Sequence, residues 1–154
     1  MTVRQPWAWA IIHGGKDVEN RVRNIAGDYR GPIAIHAAIG KTASLTEADE
    51  ELLINNDIDG KVEAWMDGEP IEGGVILGVI YLIGVHHSGA SDFGGEGTRF
   101  TPLCSEWAQQ DAWHLELTNP RPLVEPIPYR GALGLRELDD DTTARILAQI
   151  GETA

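Results

Sequence analysis

The sequence predicts an α+β domain, a small β-barrel of five to six mostly short strands with flanking helices. Three observations point there. Strand-like and helix-like patterns alternate along the chain without an internal repeat or a low-complexity linker. Prolines and glycines sit at the corners between them, as small closed sheets require. One apolar run, residues 75–85, is continuous enough to be buried on both faces, and its Gly78 and Gly84 suit bends in a closing sheet. A chain of 154 residues fits one domain, 1–154, and buries a core without disulfide staples.

Taken in order, residues 2–5 read as a short first strand closed by Pro6. Proline fits the first turn of a helix, and Trp7 to Ile12 supply the formers before Gly14 and Gly15 stop it. Trp7 and Ile11 share a face, four residues apart, while Trp9 turns toward the core. Residues 16–21 run extended, then 24–28 form a turn. Ile33, Ile35 and Ala37 alternate with Ala34, His36 and Ala38 as a strand. Ser44-Leu45-Thr46-Glu47 has the form of a capping box, opening a helix to about residue 55 with Leu45, Ala48 and Leu52 inward. An acidic loop over 56–74 is pinned by Val62, Trp65 and Met66. After the 75–85 strand, residues 86–103 form a long loop and the best candidate for a lid. A short helix at 105–110 leads into an alternating strand, 113–117. Pro120, Pro122, Pro126 and Pro128 confine the next stretch to an edge or loop. Residues 133–138 make a last strand, and Asp140 or Asp141 caps a terminal helix, 139–151, carrying Ala144, Leu147 and Ile150.

Charge is uneven. The chain carries 24 acidic and 12 basic residues, −12 in all. Residues 1–41 hold six basic side chains against three acidic, or +3, and 42–72 hold ten acidic against Lys61 alone, or −9. An acidic body does not coat long duplexes, because such binding rests on neutralising phosphates. A local cleft for one nucleotide or a short single strand stays compatible with it. No apolar run reaches membrane-spanning length and no signal peptide is visible. The single cysteine, Cys104, excludes an internal disulfide, fits a reducing cytoplasm and reads as a buried spectator.

The densest chemistry lies in Lys16-Asp17-Val18-Glu19-Asn20-Arg21. An extended backbone puts Asp17, Glu19 and Arg21 on one face, so that Arg21 orients the Glu19 carboxylate. By themselves these residues read first as a surface strand with a routine ion pair, and the flanking sequence changes that reading. His36, amid small residues, reads as a satisfied core histidine or as a cleft lining. His86, His87, Asp92, Cys104 and His114 offer metal-ligand chemistry, but no pair has an established zinc spacing, so no metal and no cofactor are expected. Gly94-Gly95-Glu96-Gly97 lacks the spacing and ending of a phosphate loop.

Gly14-x-Lys16-x-x-Glu19-x-Arg21 resembles the motif of the ASCH family, whose fold is a PUA-like β-barrel. Val3-Arg4-Gln5-Pro6-Trp7-Ala8 precedes it and Tyr29-Arg30-Gly31-Pro32-Ile33-Ala34-Ile35-His36-Ala37 follows. Ile76-Leu77-Gly78-Val79, Trp113-His114-Leu115 and residues 126–135 fall in the family's order, so the resemblance covers about residues 2–138. It implies a cleft beside the barrel that receives RNA or a modified nucleotide, lined by Gln5, Trp7, Lys16, Glu19 and Arg21, with His36 or Trp113 near its wall. Lys16 and Arg21 suit phosphate, Trp7 a stacked base, and Gln5 and Glu19 an exposed base edge.

Two other classes compete. Some relatives deacylate N4-acetylcytidine with a lysine, a threonine nucleophile and a distant glutamate, and others are linked to RNA cleavage. Lys16 matches the lysine, Glu19 stands at the threonine's place, and an enzyme here would use Lys16 and Glu19 as its catalytic pair. A protein-interaction module would instead use the acidic 42–72 face.

Overall fold

A computed structural model describes residues 1–88 and 103–151. The expected lid over 86–103 falls mostly outside the described residues, as do Asp92 and Gly94 to Gly97. Among the described residues the chain forms five strands and four helices: β1 (Thr2–Val3), α1 (Trp7–His13), β2 (Val18–Arg21), β3 (Gly31–Ala37), α2 (Glu47–Asn55), α3 (Lys61–Met66), β4 (Val75–His87), β5 (Trp113–Pro128) and α4 (Asp140–Ile150). The strands make one mixed sheet in the order β1-β3-β4-β5-β2, with β1 parallel to β3 and the other pairs antiparallel.

The sheet is α+β but does not close into the expected barrel. Its edge strands span two and four residues, too short to build a joining ladder. A side chain crosses the gap instead: Arg21 Nη2 donates to the carbonyl of Thr2 at 2.7 Å. The strands are also not uniformly short. β4 has 13 residues and β5 has 16. Two of the three register shifts between β4 and β5 fall at the glycines, between Ile76 and Gly78 and between Leu82 and Gly84, and the third lies between Val79 and Tyr81. At Gly78 a Cβ would meet the carbonyl oxygen of Arg121 at 2.7 Å, so only glycine admits that close approach.

Several element assignments change. The proline-rich stretch is the far half of β5, paired with β4 on one side, while β2 reaches only Trp113 to Glu116. A proline on that open edge leaves no ladder bond unmade. Residues 133–138 form no strand: alternation there reports partial burial, and Leu133 is exposed. Residues 105–110 make turns in place of a helix. The capping box is Thr46 with Asp49, so α2 starts later, buries Leu53 and exposes Ala48. Asp139 caps α4 by accepting from the Thr142 N–H, and Ile146 is its buried anchor in place of Ala144. Cys104 is exposed.

Three apolar clusters hold the fold. α1 lays Ala8, Ile11 and Ile12 on the sheet against Ile33, Ile35, Ile80, Leu82 and Leu115. Trp9 and Val18 join Leu53, Val62 and Trp107, which ties the acidic segment to the α1–β2 corner. Ile76, Val79, Leu123 and Ile127 receive Ile146 of α4. No helix of the described residues is long and apolar enough to cross a membrane.

Candidate functional site

The corner between α1 and β2 places the charged stretch. Gly14 closes α1, and Gly15 follows at φ +72°, a conformation that glycine adopts at no steric cost. The turn points Lys16 back under α1, with its backbone N–H bonded to the Ala10 carbonyl at 2.9 Å. Lys16 is 3% exposed and donates from Nζ to the Val18 carbonyl. Its ammonium lies 5.4 Å from the ring centre of Trp7 and 5.9 Å from that of Trp107. The two indoles meet edge to face at 6.3 Å.

Glu19 stands between two cations. Oε2 is 3.8 Å from Lys16 Nζ, and Oε1 is 3.0 Å from Arg21 Nε. The Arg21 Nε–H has no aligned hydrogen-bond acceptor, so that contact is one of charge. Burial pushes the Lys16 ammonium below its ordinary value; Glu19, Asp17 and Asp49 oppose the shift and Arg21 adds to it. Lys16 and Arg21 both already face Glu19, which leaves them poorly placed to neutralise a phosphate.

These groups open on a cavity of ≈ 130 Å³. Trp7, Lys16 and Glu19 line it, as do Asn20, Asp49 and Trp107, with Glu106 and Gln109 at the same wall. Of the residues singled out in the sequence, Trp7, Lys16 and Glu19 therefore come together, and Arg21 backs Glu19 from behind. Gln5 lies elsewhere: its amide accepts from the Trp9 N–H at 2.9 Å and donates to the Glu72 carbonyl at 2.8 Å, joining α1 to the segment before β4. His36 Nε2 lies 2.9 Å from the Tyr129 carbonyl, away from the cavity lining. Trp113 packs edge to face on His87 at 5.3 Å.

The wall formed by residues 105–109 carries no motif and was not legible in the sequence. It is fixed to β2 by side chains of the charged stretch itself. Asn20 Nδ2 donates to the Trp107 carbonyl at 2.9 Å, and Asn20 Oδ1 accepts from the Gln109 N–H at 2.8 Å. Ser105 Oγ donates to Asp17 Oδ1. Asp17 and Asn20 thus hold the second indole over Lys16. An asparagine and an aspartate inside the charged stretch were the available signal, but their partners lie 87 to 89 residues away in sequence.

Comparison with curated proteins returned no match. The family model for the ASCH domain matches residues 1–127, which include every residue lining the cavity. The chain belongs to the ASCH domain family.

Proposed function

We propose that this cavity binds a nucleotide, free or exposed in single-stranded RNA, by taking up its base. The observation that carries the reading is a buried Lys16–Glu19 pair set against two indoles in a cavity that reaches solvent. Trp7 and Trp107 supply ring surfaces for a base, and stacking of this kind tolerates any base. Glu19 and Asp49 accept from exocyclic amines, and Lys16 donates to a ring carbonyl. The volume lies below the roughly 300 Å³ at which pockets for whole drug-sized ligands begin, so a base fits the scale better than an entire nucleotide. One cation among three carboxylates lines the space (Lys16 against Glu19, Asp49 and Glu106), which disfavours phosphate inside it. Sugar and phosphates then remain outside, and duplex RNA, whose bases are stacked away, is a poor ligand. Titration calorimetry with nucleosides, nucleotides and short single strands tests this. Nucleoside and nucleotide should bind within a few-fold of one another; binding that needs the phosphate and falls steeply with salt would refute base uptake.

A second reading is hydrolysis of an N4-acylated cytidine, favoured by a lysine pushed down by burial beside a carboxylate. Glu19 would take a proton from water as the water oxygen bonds to the acyl carbon. Lys16 would donate to the oxygen that becomes negative, and the cytosine amine would leave with the proton. Incubation with N4-acetylcytidine and mass spectrometry reads it: free cytidine formed by the parent but not by Lys16→Met supports turnover. An unchanged substrate from folded protein leaves binding alone.

A further inference from the structure

His86, Cys104 and His114 are scattered in sequence but converge in space. The β4–β5 register sets His86 directly opposite His114, with the rings edge to face at 5.0 Å. Cys104 reaches them from the turns that precede β5. His114 Nδ1 lies 3.2 Å from His86 Nε2 and 3.4 Å from Cys104 Sγ, and one ligand atom from each of the three residues lies within 4.8 Å of the others. Zinc bonds of about 2.0–2.1 Å to nitrogen and 2.3 Å to sulfur imply tetrahedral edges of roughly 3.3 Å between nitrogens and roughly 3.6 Å between nitrogen and sulfur. The two observed edges sit a little inside those values.

The outer partners fix the lone pairs. His114 Nε2 is 2.7 Å from the carbonyl of Gln109, which only accepts, so that nitrogen carries the proton and Nδ1 presents a lone pair. His86 Nδ1 faces Glu116 Oε1 at 3.7 Å, beyond hydrogen-bonding distance, and without an ion His86 Nε2–H meets the His114 Nδ1 lone pair at 3.2 Å. A bound ion would replace the proton shared by these two nitrogens, which then moves to His86 Nδ1 beside Glu116 or to solvent. A carbonyl on one histidine and a carboxylate on the other form the outer shell that metal-bound imidazoles use.

We propose that His86, Cys104 and His114 bind a zinc-class divalent ion through Nε2, Sγ and Nδ1, with a fourth position open to solvent or an exogenous ligand. On binding, Cys104 gives up its thiol proton to solvent and no electron is transferred. The ion ties the Cys104 turn to β4 and β5, and three residues later the chain carries Trp107, the second indole of the cleft. The proposal does not depend on what the cleft binds.

The test uses untagged protein stripped with chelator, then titrated with zinc against a chromophoric competitor and separately with cobalt(II). One equivalent per chain and a thiolate-to-cobalt charge-transfer band are expected. Cys104→Ser, at an exposed position, should abolish the band and weaken zinc by at least about tenfold, and Glu116→Gln should weaken it about 10–100-fold with the band retained. No band at saturating cobalt, or equal zinc affinity in Cys104→Ser, overturns the site. Circular dichroism of each variant confirms the fold, and an inability of His114→Ala to fold leaves the Cys104 result decisive.

Discussion

Two depressions of the molecule differ in an instructive way. The larger, ≈ 640 Å³, runs between Ile33, Val79 and the segment that carries Leu135, Ile146 and Leu147. It is mainly apolar, and α4 and the preceding turns build one side of it, beyond the residues that match the family. The smaller, ≈ 130 Å³, lies wholly within the matched residues and holds a buried lysine, a carboxylate and two indoles. Volume here marks where a terminal helix meets a sheet imperfectly. Function is better sought where burial and charge conflict, because such a conflict costs stability and serves no packing purpose.

The sharpest way to break that comparison is Glu19→Ala. It removes the carboxylate that lies between Lys16 and Arg21, leaving Lys16 only the weaker influence of Asp17 and Asp49, and breaking a buried pair of this kind costs about 3–5 kcal/mol. Urea unfolding should show that loss; a change below about 1 kcal/mol would mean that the charges are solvated after all. In the groove, Ile146→Ala should cost about 2–5 kcal/mol by leaving a cavity against Ile76 and Val79, yet leave affinity at the cleft unchanged. A parallel loss of affinity would show the two regions to be coupled.

The charge conflict also predicts a pH dependence. The folded-state value of Lys16 lies below its ordinary 10.5, so in the window between them the unfolded chain holds a proton that the folded chain has released. Stability contributed through Lys16 therefore rises with pH across that window and levels above 10.5. Lys16→Met should lack that rise, so the parent-minus-variant difference in unfolding free energy should increase with pH across the window. A difference that is flat with pH would contradict a depressed lysine. Smallest is Trp7→Ala, which should weaken ligand binding by about 1–3 kcal/mol through lost stacking.

The two regions also differ in how much the sequence disclosed. Lys16, Glu19 and Arg21 lie within six residues, so one turn and one strand bring them together, and local pattern was enough to find them. Trp107 and Asn20 meet across 87 residues, and only the pairing of β2 with β5 makes them neighbours. The same limit explains the unclosed barrel. Residues 133–138 carry strand-like alternation, but alternation reports which side chains are covered and says nothing of whether an edge is there to pair with. Gly78 and Gly84 were legible as bends because a glycine in an apolar run has a local meaning. The Gln5 amide and His36 Nε2 meet backbone partners distant in sequence, contacts that no local pattern discloses.

The central claim is that the cleft takes up a base through Lys16 and its two indoles. The most direct measurement is calorimetric titration of short single-stranded RNAs and the component nucleosides into the parent protein and Lys16→Met, at low and moderate salt. The account predicts saturable binding of the parent with a weak salt dependence, and its loss in a Lys16→Met protein that remains folded. Equal binding by both proteins, or a parent that binds none of these ligands, would contradict it.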